Sequence, residues 1–148
     1  PHLFPLYYSV VAGIAKMDEA IRVPSATDAS LQAVLLEDKR LAEAAGCYLS
    51  SAAVQVRYLM ARSRWLAADG PEEKDMARRE MLGHLARWGE EARKLYPLAK
   101  ADSRIGFEAS NHYFSIPQDL IETVIAVEWT NNQLTSSEDA KAAPHQGQ

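Results

Sequence analysis

Apolar residues return at steps of three and four from close to the start of the chain. Tyr7, Val10, Val11, Ile14, Met17 and Ile21 share one face of a helix over about residues 5 to 23. Pro24 closes that segment, because a proline disfavours helical geometry in the residue before it. Ser25, Thr27 and Asp28 then offer side-chain oxygens to cap the next helix.

The second segment, residues 28 to 68, carries a longer pattern. Leu31, Leu35, Asp38, Ala42, Ala45, Leu49, Ala52, Val56, Leu59, Ser63 and Leu66 alternate steps of four and three, the spacing of a heptad seam that faces another helix. At ~1.5 Å per residue such a helix spans about 60 Å, unless Gly46 or the Ser50-Ser51 pair bends it. Asp69-Gly70-Pro71 supplies a stop and a restart. The third segment, residues 71 to 100, opens with Glu72, Glu73 and Asp75, whose carboxylates complement the positive end of the helix dipole. Met81, Leu85, Trp88, Ala92, Leu95 and Ala99 form its matching stripe, and Pro97 is placed to kink its last turn. So short a connection makes the second and third segments antiparallel neighbours.

A fourth helix is predicted after Ser115, with Ser115 and Gln118 spaced as a capping box around Pro117. Leu120, Ile121, Val124, Ile125 and Val127 give it a wide apolar face, and Trp129 falls near its end. From Thr135 to Gln148 apolar anchors are scarce, and this stretch reads as a disordered tail or linker. The pattern thus predicts an all-α fold: a helical bundle of about four helices around a long antiparallel hairpin, in one domain over residues 1 to 134.

Composition agrees with helix. The chain has 24 alanines against eight valines and six isoleucines, which disfavours the β-branched texture of strands. Its 148 residues, 47% hydrophobic, suit one core rather than two. A formal charge of −4 argues against a nucleic-acid binder, which needs a concentrated basic face. Arg57, Arg62, Arg64, Arg78, Arg79 and Arg87 do gather, but Glu72, Glu73, Asp75, Glu80, Glu90 and Glu91 are interleaved with them, as on a salt-bridged, solvated helix face. No apolar run approaches the ~20 residues of a membrane span, so a soluble chain is expected. The sequence begins at Pro1 with neither an initiator methionine nor a secretory signal, which reads as a processed chain or an excised piece.

The stretch Ala101-Asp102-Ser103-Arg104-Ile105-Gly106-Phe107-Glu108-Ala109-Ser110-Asn111-His112-Tyr113-Phe114-Ser115 is polar and aromatic together. Two accounts compete for it. Asp102, Arg104 and Glu108 pair internally while the aromatic residues plug the end of the bundle, or the polar groups Asp102, Arg104, Glu108, Asn111, His112 and Tyr113 face a ligand.

The run from Leu95 to Leu120, with Asp102-Ser103-Arg104-Ile105-Gly106-Phe107-Glu108 followed by Asn111-His112-Tyr113-Phe114, resembles a segment near the C-terminus of large bacterial proteins related to glycoside hydrolases. There a helical region follows a catalytic barrel, and a helix leads into a similar DSR-(I/L)-G-(F/W)-E signature before a final helix. The resemblance covers about a sixth of the chain. It implies a C-terminal helical accessory domain whose general acid and base lie in a barrel elsewhere, and an extracytoplasmic location. It marks Asp102, Arg104, Gly106, Phe107 and Glu108 without saying whether they bind sugar or hold the domain together. The partners it implies are the remainder of a larger polypeptide or another protein chain, with carbohydrate as a candidate ligand.

Taken by themselves, the residues offer no self-sufficient catalytic motif. Asp102 and Glu108 are the carboxylates predicted on a loop, but nothing fixes the separation that an acid and base pair requires. Asp18-Glu19, Glu37-Asp38, Glu72-Glu73 and Glu90-Glu91 read as solvated helix faces. Glu80 and His84 share a helix face, yet the paired Glu-x-x-His motifs of four-helix metal sites are missing, so no metal or other cofactor is expected. Cys47 sits among Ala44, Ala45 and Gly46 as a small buried residue without a positioned base. Trp65, Trp88 and Trp129 are spaced for core or domain-interface packing rather than a sugar-stacking platform. A reading from a different class also fits: a free-standing helical module whose long hairpin binds another protein or its own copy.

Overall fold

The computed structural model describes residues 3–22, 29–108, 112–113 and 115–142. The chain is all-α, as its apolar pattern predicts: α1 (Leu3–Arg22), α2 (Ala29–Ala67), α3 (Pro71–Ala101) and α4 (Pro117–Ala142), with β1 (Phe107–Glu108) and β2 (His112–Tyr113) as a minimal ladder between α3 and α4. Each helix packs against the next in order. Asp18 meets Lys39 at 2.7 Å while Val10 and Ile14 lie over Gly46, so α1 runs antiparallel to α2. Arg64 pairs with Glu80 at one end of the α2–α3 hairpin and Arg104 with Glu37 towards the other.

Pro71 begins α3 at the first helical position, where its missing N–H costs nothing, and Glu72 and Glu73 occupy the first turn. Met81, Leu85, Ala92, Leu95 and Ala99 of the predicted stripe are buried, and Trp88 is half-buried. Gly89 sets the approach of α4: a Cβ there would stand 3.3 Å from Val127 Cγ1 and 3.0 Å from Arg93 Nη1. Ala44, Cys47, Ala92, Leu95, Ala99, Ile105 and Leu120 form one buried cluster, flanked by Tyr48, Tyr96, Leu98 and Val124.

The face of α2 that packs differs from the one the heptad pattern suggests. The buried residues are Ala44, Gly46, Cys47, Ser50, Ala53, Val54 and Ala61, with Tyr58 and Trp65 half-buried. These small side chains let α3 lie close. Leu31, Val56, Leu59 and Leu66 of the expected seam point to solvent instead. At 3.6 residues per turn the two stripes lie on opposite sides of one helix, and a period of three and four does not distinguish them.

The start of α4 is displaced by one residue from the expected capping box. Ile116 is the cap: its carbonyl accepts from Leu120 N, and Asp119, three residues on, accepts its N–H at 3.2 Å. Ser115 adopts a left-handed backbone (φ 58°) and hydrogen-bonds Tyr48, while Gln118 donates to Glu122. At its other end α4 continues to Ala142, past the Thr135 boundary at which the sequence predicts a disordered tail. Ala140, Ala142, Glu138 and Lys141 are good helix formers, and extending an existing helix needs no new nucleus. Residues 143–148 lie outside the described residues.

Candidate functional site

The turn after α3 is organised by one carboxylate. Asp102 caps the helix in extended geometry, its N–H bonded to Leu98 O. Its carbonyl accepts from Ile105 N at 3.1 Å, and its Oδ1 accepts from Arg104 N at 3.0 Å, so main chain and side chain both close the turn. Arg104 then folds back: Nε lies 2.9 Å from Oδ1 and Nη2 2.6 Å from Oδ2, a two-pronged grip, while Nη2 also reaches Glu37 on α2. These hydrogen bonds from the Arg104 side chain and N–H hold the Asp102 carboxyl down at about 2 and push the guanidinium further up. The turn ends at Gly106 in the left-handed region (φ 94°), which a side chain would strain.

Between those anchors Ile105 drops into the core beside Leu120. The β1–β2 ladder then sets Phe107 opposite Tyr113 and Glu108 opposite His112. The structure therefore brings two of the predicted site residues, Glu108 and His112, to facing positions, and takes two others, Asp102 and Arg104, into the internal pairing. Asn111 lies outside the described residues, as do the side chains of Glu108, His112 and Tyr113.

A second polar cluster escaped the sequence reading. Glu91, expected with Glu90 on a solvated face, is 3% exposed and takes Arg87 Nε at 3.1 Å and Lys94 Nζ at 3.5 Å. Its position three residues after Trp88 and four before Leu95 gives it a place beside the core stripe, a signal that the doublet of glutamates hid. It borders a cavity of roughly 360 Å³ between α1, α2 and α3, with Cys47, Glu43, Lys94 and Tyr7. Burial, and then the Glu91 carboxylate, push the Cys47 thiol up to about 11. At pH 8 only about one thiol in a thousand is then ionised, which makes Cys47 a poor nucleophile. Ellman's reagent is accordingly expected to leave the native chain unmodified over minutes and to titrate the thiol fully in denaturant. Rapid labelling of the native chain would contradict that environment.

Glu80 and His84 are not aimed at a common ion. Glu80 holds Arg64, and the His84 imidazole is pushed down by its burial and by Arg57. Among the described residues no three metal-ligating side chains come together. A further groove of roughly 360 Å³ runs between α3 and α4 and is almost wholly apolar, lined by Ala92, Tyr96, Leu120, Ile121, Val124 and Ile125 with Arg93 at its rim. Arg93 is tied there to Glu128. None of the known protein families, curated proteins or solved structures compared with the chain matches it. No described helix is long and apolar enough to cross a membrane.

Proposed function

We propose that this chain is a non-catalytic helical accessory domain of a larger, glycoside-hydrolase-like polypeptide, packed against the part of that polypeptide that performs the chemistry. The observation that carries the reading is the outer face of α4. Ile121, Ile125 and Trp129 succeed one another at steps of four and stand 48%, 61% and 64% exposed, alongside the apolar groove to α3. Three large apolar side chains in one row are the mark of a surface that another surface covers. The organisation of the signature supports the same reading. Asp102, Arg104 and Ile105 use their charge and bulk to join α3, α2 and the core, which is what a structural element does rather than a sugar subsite.

The decisive measurement is the intact mass of the native polypeptide from its source under denaturing conditions. A mass several times 16.4 kDa is expected, and a mass near 16.4 kDa overturns the accessory-domain reading. In that second case the alternative takes its place: a free-standing helical interaction module, favoured by the exposed Leu31, Val56, Leu59 and Leu66 of the heptad seam along α2.

A further inference from the structure

The outer seam of α2 has the period of a coiled coil; towards its C-terminal end Val56, Leu59, Ser63 and Leu66 are exposed, and Leu49 and Ala52 before them are half-buried. Val56, Leu59 and Leu66 are 51%, 57% and 59% exposed, and Met60 beside them is exposed as well. α1 shields a different side of α2, at Lys39, Glu43 and Gly46. α3 lies on the side of α2 opposite the seam, where Tyr58 meets Leu85 and Trp88 and where Val54 and Ala61 are buried. A seam of alternating three and four steps selects a helix as its occupant, because a helix presents knobs at that period.

The order of side chains in the seam selects which helix. From Leu49 to Leu66 it reads leucine, alanine, valine, leucine, serine, leucine, so large and small residues fall in the same order from either end. An antiparallel copy turned about a two-fold axis between Arg57 and Tyr58 therefore sets Leu49 on Leu66 of the second copy, Ala52 on Ser63 and Val56 on Leu59. Such an interface is self-complementary, as a two-fold contact must be. It also leaves every seam position uncharged. A parallel pairing in register would stack Asp38 on Asp38 of the second copy, and an antiparallel pairing centred between Ser50 and Ser51 would draw Asp38 into the seam opposite Ser63. We infer that two copies of this chain associate antiparallel through Leu49, Ala52, Val56, Leu59, Ser63 and Leu66 of α2.

This association does not depend on the accessory-domain reading. Mass under denaturing conditions reports the covalent chain, whereas association is read under native conditions, so either inference is open to failure alone. The test is sedimentation equilibrium of the full 148-residue chain over a range of micromolar concentrations. The expected result is a weight-average mass rising towards twice 16.4 kDa, returning to 16.4 kDa in Leu59→Glu with unchanged helical circular dichroism. Leu59 is outside the core, so its substitution is not expected to unfold the chain. A second measurement reads the register in a Cys47→Ser background: Ala52→Cys combined with Ser63→Cys forms a disulfide-linked dimer on oxidation, and neither single substitution does. A chain that stays monomeric throughout the range, a dimer that survives Leu59→Glu, or cross-linking by a single substitution alone overturns the proposal.

Discussion

Leu85→Ala is expected to lower the stability of the fold by about 3–5 kcal/mol, the range for truncating a buried leucine whose site does not collapse. Among the described residues Leu85 is the largest side chain sealed from solvent, at 2% exposed. It lies where three helices meet, close to Tyr58 of α2, Trp88 of α3 and Val127 of α4. Its removal strips contacts from all three at once. Gly89, one turn further along α3, already holds α4 close, with a Cβ there only 3.3 Å from Val127 Cγ1, so the two helices have little room to move together and close the void. For a chain of this size ~1 kcal/mol corresponds to roughly 2–4 °C, and the melting temperature should fall by on the order of 10 °C. Ile125→Ala is the control. It removes a methylene-rich side chain that is 61% exposed on the same bundle, and its melting temperature in the isolated chain should barely move. Equal effects from the two substitutions would mean that the core is not where the structure puts it.

The contrast between those residues shows what the sequence makes legible. The α3 stripe was readable because its apolar residues are few and separated by charge, so a single period accounts for them: Met81, Leu85, Ala92 and Leu95 are all buried. In α2 the same reasoning chose the wrong side. Alanine, cysteine and serine at 44, 47, 50, 53 and 61 carry little hydrophobic signal individually, yet their small size is what allows the close contact with α3. The larger Leu31, Val56, Leu59 and Leu66 dominate any apolar count and face outward. Hydrophobicity ranks the strength of a stripe, whereas burial also depends on how near the neighbour lies, and only the folded chain supplies that distance.

The candidate site divides in a similar way. An aspartate two residues before an arginine, in a turn ending at glycine, is a local arrangement, and the internal pairing of Asp102 with Arg104 follows from that spacing. The partner Glu37 was out of reach of any local reading, since it comes from α2 and meets Arg104 only because the hairpin is antiparallel. Glu91 was missed for the complementary reason. Adjacent glutamates suggest solvent, but one helical step of 100° separates Glu90 on the outside from Glu91 against Cys47 and Lys94.

Removing either side of the Asp102–Arg104 pairing is expected to loosen the whole end of the bundle, with the larger loss in Asp102→Ala. That carboxylate accepts from the Arg104 main chain, Nε and Nη2, and its side chain is shielded from water. Without it the turn after α3 loses its closure, Arg104 keeps only Glu37, and Ile105 is no longer held in the core next to Leu120. Arg104→Ala should also lower the melting temperature, by clearly more than Arg64→Ala, whose exposed partner Glu80 makes a surface ion pair of little worth. Arg104→Lys should restore only part of the loss, because an ammonium cannot grip both carboxylate oxygens and Glu37 in one plane. The acid response has a definite sign. Asp102 titrates at about 2 in the fold and near the ordinary ~3.9 in the unfolded chain, so its contribution is fully present above about pH 4 and disappears as the pH falls through about 2. The stability gap between the parent chain and Asp102→Asn should therefore be widest near neutrality and narrow steadily between about pH 4 and pH 2. A gap that stays constant across that interval, or an Arg104→Ala chain that melts with Arg64→Ala, would mean that the turn is held by Ile105 and the β1–β2 ladder rather than by the charge pair.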